Sequence, residues 1–357
     1  LITISSFQYQ ALPWNIIFGA HSLLRLPDEM AKLGLKRALV LTTPQQRAQG
    51  QEIVKLLGDV AVGHFDQAVM HVPVETVERA MADVRRLGAD STVALGGGST
   101  TGLGKALVLR AGLPNIAIPT TFAGSEMTNI WGITENARKT TGRNVRVVPQ
   151  LTIYDPEMIR SLPAHIAGPS GLNAMAQAVV NVASADPNPI VSMMGVEAVR
   201  ALSRALPLVV AKPEDLEART LAMYGACLAG ATLGTGITGL HHRLCHVLGG
   251  SFNTPHAETH TILLPHTVAY NAAATREGTA RVAEAMGVAN AALGIFHLAG
   301  IVGAPRALAD IGFREADLDK AVAIAMETPL NNPEPVTAEK LRALLENAYH
   351  GYPPRAV

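Results

Sequence analysis

Ser91-Thr-Val-Ala-Leu-Gly-Gly-Gly-Ser-Thr-Thr-Gly-Leu-Gly-Lys105 reads as a strand, a glycine turn and the opening of a helix. Ser91–Leu95 is short and rich in β-formers, and helical character resumes after Thr100 and runs to about Arg110. Glycines let a backbone approach a pyrophosphate closely, and the free N–H groups of the following helix favour anions. An ordinary tight turn explains many single glycines. Gly96, Gly97 and Gly98 followed by Ser99 and Thr100 point instead to phosphate binding, although the pattern is neither a P-loop nor a regular G-x-G-x-x-G.

Outward from this turn, strands and helices alternate. Strands are expected at Trp14–Phe18, Arg37–Thr42, Val60–His64 and Asn115–Ile118, and helices at Ser22–Leu33 and Val74–Leu87. This alternation implies a parallel sheet covered on both faces. Thr42-Thr-Pro-Gln-Gln follows the second strand, where an acidic residue often holds the adenosine ribose. No acid is present, which leaves NADH and NADPH both admissible. Pro119-Thr-Thr-Phe-Ala-Gly-Ser-Glu126 places Thr120, Thr121 and Ser125 at the carboxyl end of a strand, the usual ligand crevice, though a merely polar loop would read the same way.

From about Ser170 helical segments take over: Leu172–Ala185, Ile190–Leu206, Leu216–Gly234, Gly239–Leu248, Glu277–Met286, Ala291–Val302, Glu315–Met326 and Ala338–Tyr349. With 357 residues, two domains are expected. They are an α/β dinucleotide-binding unit over 1–156, ending after a strand-like Val145–Tyr154, and an all-helical substrate unit over 157–357. Hydrophobic residues make up 48% and charged ones 16%, so a large core is available and extensive disorder is excluded. Lys plus Arg and Asp plus Glu are 29 each, which argues against nucleic acid or an anionic membrane as partner. The low charge density suggests surface buried between subunits. Two cysteines, Cys227 and Cys245, make no CxxC pair, so neither a disulfide framework nor a thiolate zinc site is indicated. A cytoplasmic setting fits. Leu1–Phe7 lacks a signal-peptide layout, and no run of about 18 apolar residues marks a membrane span.

Five of the twelve histidines lie between His241 and His260. His242 and His246 are one helical turn apart on one face. His256 follows Pro255, after a loop expected to contain Gly249, Gly250 and Asn253. Any one of these histidines alone reads as a surface residue; the spacing marks His242, His246 and His256 as catalytic candidates for proton transfer or oxyanion stabilisation.

Taken together, Leu41-Thr-Thr-Pro-Gln-Gln, the glycine turn, Gly124-Ser-Glu-Met-Thr, Lys139-Thr-Thr-Gly-Arg143, Ser170-Gly-Leu-Asn-Ala-Met-Ala176 and Pro255-His-Ala-Glu-Thr-His260 resemble the iron-containing alcohol dehydrogenase family, and within it the maleylacetate reductase branch. The resemblance implies a dehydroquinate-synthase-like fold and an often dimeric bacterial oxidoreductase. It also implies NADH- or NADPH-dependent reduction of maleylacetate, or a similar unsaturated oxo-dicarboxylate, to 3-oxoadipate in aromatic degradation. Cofactor contacts are expected from Thr42, Gly96, Gly97, Gly98, Ser99, Thr100, Thr120, Thr121 and Ser125.

In metal-dependent relatives an Asp and a His four residues apart, with two later histidines, hold the ion. The corresponding positions here are Asn173, Gln177, His242 and His256. Two amides with two histidines lack the anionic charge that stabilises a dication, so no tightly bound metal is expected. Reduction of a conjugated alkene remains open, with histidines stabilising the enolate oxygen. Lys139, Arg143 and Arg243 are candidate anchors for a dicarboxylate, each equally readable as a solvated or salt-bridged side chain. Phe122 replaces a usual Tyr beside the nicotinamide, and Asn181 and Gln177 depart from the family on one helix expected to line the substrate site. These departures leave open non-redox chemistry (cyclisation, isomerisation or elimination) on another anionic substrate, or a catalytically silent binding protein.

Overall fold

The computed structural model describes residues 6–136 and 138–355; the opening Leu1–Ser5, part of the stretch read above for a signal peptide, lies outside them. The chain divides into two compact units, one of Ala11–Leu162 and one of Leu1–Gln10 with Pro163–Val357. The division after Leu162 falls a few residues beyond Asp155-Pro156, and the residues before Ala11 group with the helical unit rather than the α/β unit.

The strands of the α/β unit are β1 (Ile16–Phe18), β2 (Ala38–Leu41), β3 (Ala61–Phe65), β4 (Ser91–Gly96), β5 (Asn115–Pro119), β6 (Ile130–Glu135), β7 (Arg138–Arg143) and β8 (Leu151–Tyr154). Six of them form a parallel sheet in the order β1-β8-β5-β4-β2-β3, while β6 and β7 pair antiparallel. Its helices are α1 (Leu26–Lys32), α2 (Arg47–Leu57), α3 (Val74–Leu87) and α4 (Gly98–Ala111).

The period of two along each strand sorts the core. Val40, Val93 and Leu95 face one side with Leu26 and Met30 of α1 and Ile53 of α2. Leu39, Leu41 and Ala94 face the other with Val77 and Val84 of α3 and Leu103 and Leu107 of α4. A sheet clad on both faces explains why β4 and β5 are buried along their whole length. The chain reverses its winding between β2 and β4, so the turns after these strands flank the switch point where such sheets bind ligands.

The other unit is helical: α5 (Ala164–Val182), α6 (Pro189–Ala211), α7 (Leu216–Thr235), α8 (Leu240–Phe252), α9 (His256–Asn271), α10 (Arg276–Met286), α11 (Ala291–Ile301), α12 (Leu318–Met326) and α13 (Ala338–His350). Asn188, Asp215, Asn290 and Thr337 cap α6, α7, α11 and α13 with their side chains. Leu244 and Leu248 of α8, Ile262 and Leu263 of α9 and Leu341 and Leu345 of α13 share one core.

Several sequence expectations are corrected. Helix α9 was not expected, because Pro255 and Pro265 and three β-branched threonines disguise its period. Pro255 caps it, and Thr259 and Thr261 donate back to the carbonyls of Pro255 (2.6 Å) and Ala257 (2.9 Å). Gly249 and Gly250 belong to α8, and the turn is made at Asn253 with φ +55°. Helix α2 and the β6–β7 hairpin are elements the sequence pattern does not mark, and Val145–Tyr154 shortens to the four residues of β8. Among the described residues, Arg276–Ile301 has the length and composition of a membrane span, and α7 with α8 would pass only as a pair bent by 95°. Half of its most apolar 18-residue window is buried, and the segment breaks into helices of 11 residues. Each is about 16 Å long, against roughly 30 Å of bilayer core.

Candidate active site: a glycine turn and a histidine cluster

In the α/β unit, β4 ends at Gly96 and α4 begins at Gly98. Gly96 has φ +153°, and a Cβ there would lie 2.3 Å from Thr100 Oγ1 and 2.8 Å from Gln46 Oε1. A Cβ on Gly97 would come within 2.8 Å of Thr121 Oγ1, whereas Gly98 has only Ala123 Cβ at 3.8 Å. The turn is therefore a cradle closed behind and open at Gly98, with no side chain capping the first N–H groups of α4. Thr100 Oγ1 is buried without a hydrogen-bond partner. Free helix N–H groups and an orphaned hydroxyl fit a pyrophosphate, and so fit a dinucleotide.

The neighbouring segments are tied to this turn. Thr120 donates its N–H to the Gly96 carbonyl (3.1 Å), and its hydroxyl accepts from Gln46 Nε2 (2.6 Å). Thr42 is completely buried, with its hydroxyl 2.8 Å from His64 Nε2. Phe122 is completely buried; Thr121 and Ser125 are half-buried. Lys139 is exposed on β7, its amine made less basic by partial desolvation, and Arg143 donates to Asn129 Oδ1 (3.1 Å). Both lie on β7.

The sequence reading missed Lys105. Its buried Nζ donates to the carbonyls of Ser125 (2.6 Å), Thr128 (2.8 Å) and Ile130 (2.7 Å) and to Thr128 Oγ1 (3.0 Å). Burial draws its pKa down to about 7, opposed by Glu126. Four oxygens around one nitrogen favour the ammonium, because a neutral amine would turn a lone pair toward one of them. Burial in turn raises the Glu126 carboxyl, which accepts from Tyr154 (2.8 Å).

In the helical unit, α8 and α9 gather five imidazoles. Ring centroids of His242 and His246 are 6.4 Å apart, His242 and His260 5.3 Å, His241 and His260 4.8 Å, and His256 and His260 4.5 Å. The three sequence candidates thus converge. His246 and His256 are exposed, and His242 is buried. Desolvation, then the neighbouring His246 and His256, push the His242 pKa down to about 3, so it is neutral at pH 7.

His241 and His260 were not singled out by the sequence, although Pro-His-x-x-x-His carried the signal for His260. His241 Nε2 lies 2.9 Å from His260 Nδ1 and 3.7 Å from Cys245 Sγ, and its Nδ1 lies 3.2 Å from Thr267 Oγ1. The ligand atoms of His241, Cys245 and His260 fall within 4.8 Å of one another, a thiol–imidazole grouping not anticipated from cysteine spacing. Burial raises Cys245 well above its ordinary value, so it stands as a thiol.

Asn173, Gln177 and Asn181 are all buried on α5. Asn173 Oδ1, His242 Nδ1 and His260 Nε2 are buried without hydrogen-bond partners. Asn181 is committed elsewhere: it donates to the Gln177 carbonyl (2.9 Å) and accepts from the Ile237 N–H (2.8 Å). Arg243 is held by the Thr328 hydroxyl and carbonyl.

A parallel nucleotide-type sheet with this turn and a helical unit carrying clustered histidines define an oxidoreductase class, and the chain belongs to the iron-containing alcohol dehydrogenase family. Residues 13–156 match "Iron-containing alcohol dehydrogenase", and residues 168–349 match "Fe-containing alcohol dehydrogenase family, C-terminal". Within it, the chain is 50% identical to the maleylacetate reductase of Sphingobium indicum over 98% of its length and 99% of that protein's. It is 47% identical to that of Burkholderia cepacia, covering 98% and 100%. The crystal structure of maleylacetate reductase from Agrobacterium tumefaciens superposes with a TM-score of 0.95 at 47% identity, covering 98% and 100%. The family name implies iron, but Asn173, Gln177, His242 and His256 do not fit it: none is anionic, and amide oxygens are weak donors to iron or zinc.

Proposed function

We propose that this protein is an oxidoreductase that uses NADH or NADPH to reduce the conjugated C=C of maleylacetate, or a similar unsaturated oxo-dicarboxylate, to 3-oxoadipate in aromatic degradation. The observation that carries this reading is the convergence of His242, His246, His256 and His260 in one cluster on a chain half identical to a named maleylacetate reductase. The dinucleotide would be held by Gly96, Gly97, Gly98, Ser99 and Thr100, with Thr42, Thr120, Thr121 and Ser125 around them, and would supply hydride.

Hydride arriving at the alkene carbon remote from the ketone leaves negative charge on the ketone oxygen. His242, neutral and buried, offers an N–H hydrogen bond to that oxygen without carrying a proton away. Proton return to carbon falls to His246 or His256, because both reach solvent and can be reloaded. Asn173, with a buried amide that has an orphaned oxygen, and Gln177 orient the substrate. Lys139 and Arg243 serve as carboxylate anchors, Arg243 only after exchanging its Thr328 bonds. No step passes through a metal. A homodimer in the cytoplasm with a small dicarboxylate as its partner completes the proposal, supported by the low charge and by exposed Met193, Leu24 and Ile301.

The test mixes purified protein with NADH or NADPH and maleylacetate and follows loss of the reduced-nicotinamide absorbance. Turnover supports the reading. Substrate conversion without nicotinamide oxidation would instead favour non-redox chemistry.

A further inference from the structure

Thr267 sits within α9, its hydroxyl 3.1 Å from the Leu263 carbonyl and 3.0 Å from that of Leu264. Its single proton goes to these helix carbonyls, as threonine hydroxyls in helices commonly do. A lone pair then remains for His241 Nδ1 at 3.2 Å, which makes that nitrogen the N–H. His241 Nε2 is consequently the acceptor in the 2.9 Å contact, and His260 Nδ1 the donor. Both rings are buried with no carboxylate bonded to them, which keeps them neutral. His260 is left with an unshared pair on Nε2, buried and without a hydrogen-bond partner.

The neighbouring His242 ring holds a second unpartnered nitrogen. His242 Nδ1 is also buried and unpartnered, and the His242 and His260 rings are 5.3 Å apart at 75°. One water donating to both lone pairs satisfies His260 Nε2 and His242 Nδ1 together, and leaves the single hydrogen of neutral His242 on Nε2 for the substrate oxygen.

We propose that His260 is a further positioning residue of the histidine cluster: the Thr267–His241 chain holds it in the Nδ1–H tautomer, and its Nε2 fixes the ring and tautomer of His242. Which His242 nitrogen faces the substrate is thereby decided two rings away, by a threonine that touches no ligand. The role of His242 rests on the reductase reading above; the tautomer of His260 does not.

The experiment separates the two. Asn at 260 places an amide N–H where Nδ1 stands and nothing where Nε2 stands. His260→Asn therefore keeps the bond to His241 and should fold normally, bind NADH with unchanged affinity and lose at least tenfold in kcat. A purely structural His260 predicts near-normal kcat for this variant, and that result would overturn the proposal. Thr267→Val should lower kcat similarly without changing NADH affinity, and Thr267→Ser should restore most of the loss; equal rates in the Val and Ser variants would count against the chain. Nitrogen NMR of histidine-labelled protein reads the tautomer without turnover: wild type should show an unprotonated Nε2 resonance that disappears in His260→Asn and shifts in Thr267→Val. If wild type fails to oxidise NADH with maleylacetate but shows this resonance, the functional reading falls and the tautomer chain stands. Stoichiometric zinc or copper in the purified protein, lost in Cys245→Ser, would mean that His241 and His260 ligate an ion, and would overturn the chain.

Discussion

Lys105 Nζ and the carbonyl oxygen of Ile130 lie 2.7 Å apart across 25 residues of sequence. The contact joins the helix that opens at the glycine turn to the end of the loop that carries Phe122 and Ser125. Lys105→Met fills the same space and removes the Nζ donor from the carbonyls of Thr128 and Ile130, while the Ser125 carbonyl keeps Thr128 and Thr128 Oγ1 keeps the Ile130 N–H. Unfolding stability should fall by about 2 kcal/mol, since each of these two buried acceptors left without the amine costs roughly 1 kcal/mol or more. Urea denaturation reads the first effect, and a weaker dissociation constant for NADH reads displacement of the loop.

Gly98 is the open lip of the cradle, so the protein tolerates a methyl there. Gly98→Ala should leave thermal unfolding unchanged and weaken dinucleotide binding at least tenfold, because the backbone could no longer approach a pyrophosphate. Equal affinity, measured by fluorescence titration, would place the phosphates elsewhere.

Metal chelation should leave the rate of wild type unchanged after dialysis against a strong chelator. Gln177→His alone should bind zinc or iron weakly, because Asn173 supplies no charge. Adding Asn173→Asp should tighten binding by orders of magnitude in calorimetric titration. Tight metal binding by the unaltered chain would contradict the proposed mechanism.

His266 is buried outside the cluster, and burial lowers its pKa from 6.5 to about 4. The folded form therefore binds its proton less readily than the unfolded one. The stability this group contributes is complete above pH 6.5 and is lost as pH falls toward 4, up to about 3 kcal/mol. His266→Phe should flatten that limb of a stability–pH curve. An unchanged slope between pH 6.5 and 4 would show that His266 stays accessible to protons.

The parallel sheet was legible because β4 and β5 are short apolar runs set between helical periods, a pattern that buried strands impose. The phosphate turn was legible because three successive glycines have few other uses. What stayed hidden has physical reasons. Helix α9 is stabilised by threonine hydroxyls returning to backbone carbonyls, which hydrophobic periodicity does not register. Lys105 looks like any helical lysine, since its burial is decided by a loop more than 20 residues away. His246 and His256 could be placed with His242 from spacing. The His241–His260–Thr267 chain needed the crossing of α8 and α9, which no local pattern encodes.

Asn188 Nδ2 donates to the carbonyl of Gln8 at 2.9 Å, tying the segment before Ala11 to the capping residue of α6. A ribosome making this chain would release Gln8 long before its partner exists. The α/β unit, continuous from Ala11 to Leu162, can be completed first, whereas the helical unit must take in a stretch of chain made before the α/β unit. Biogenesis of the histidine cluster thus waits for the later half to emerge, and the nucleotide cradle need not.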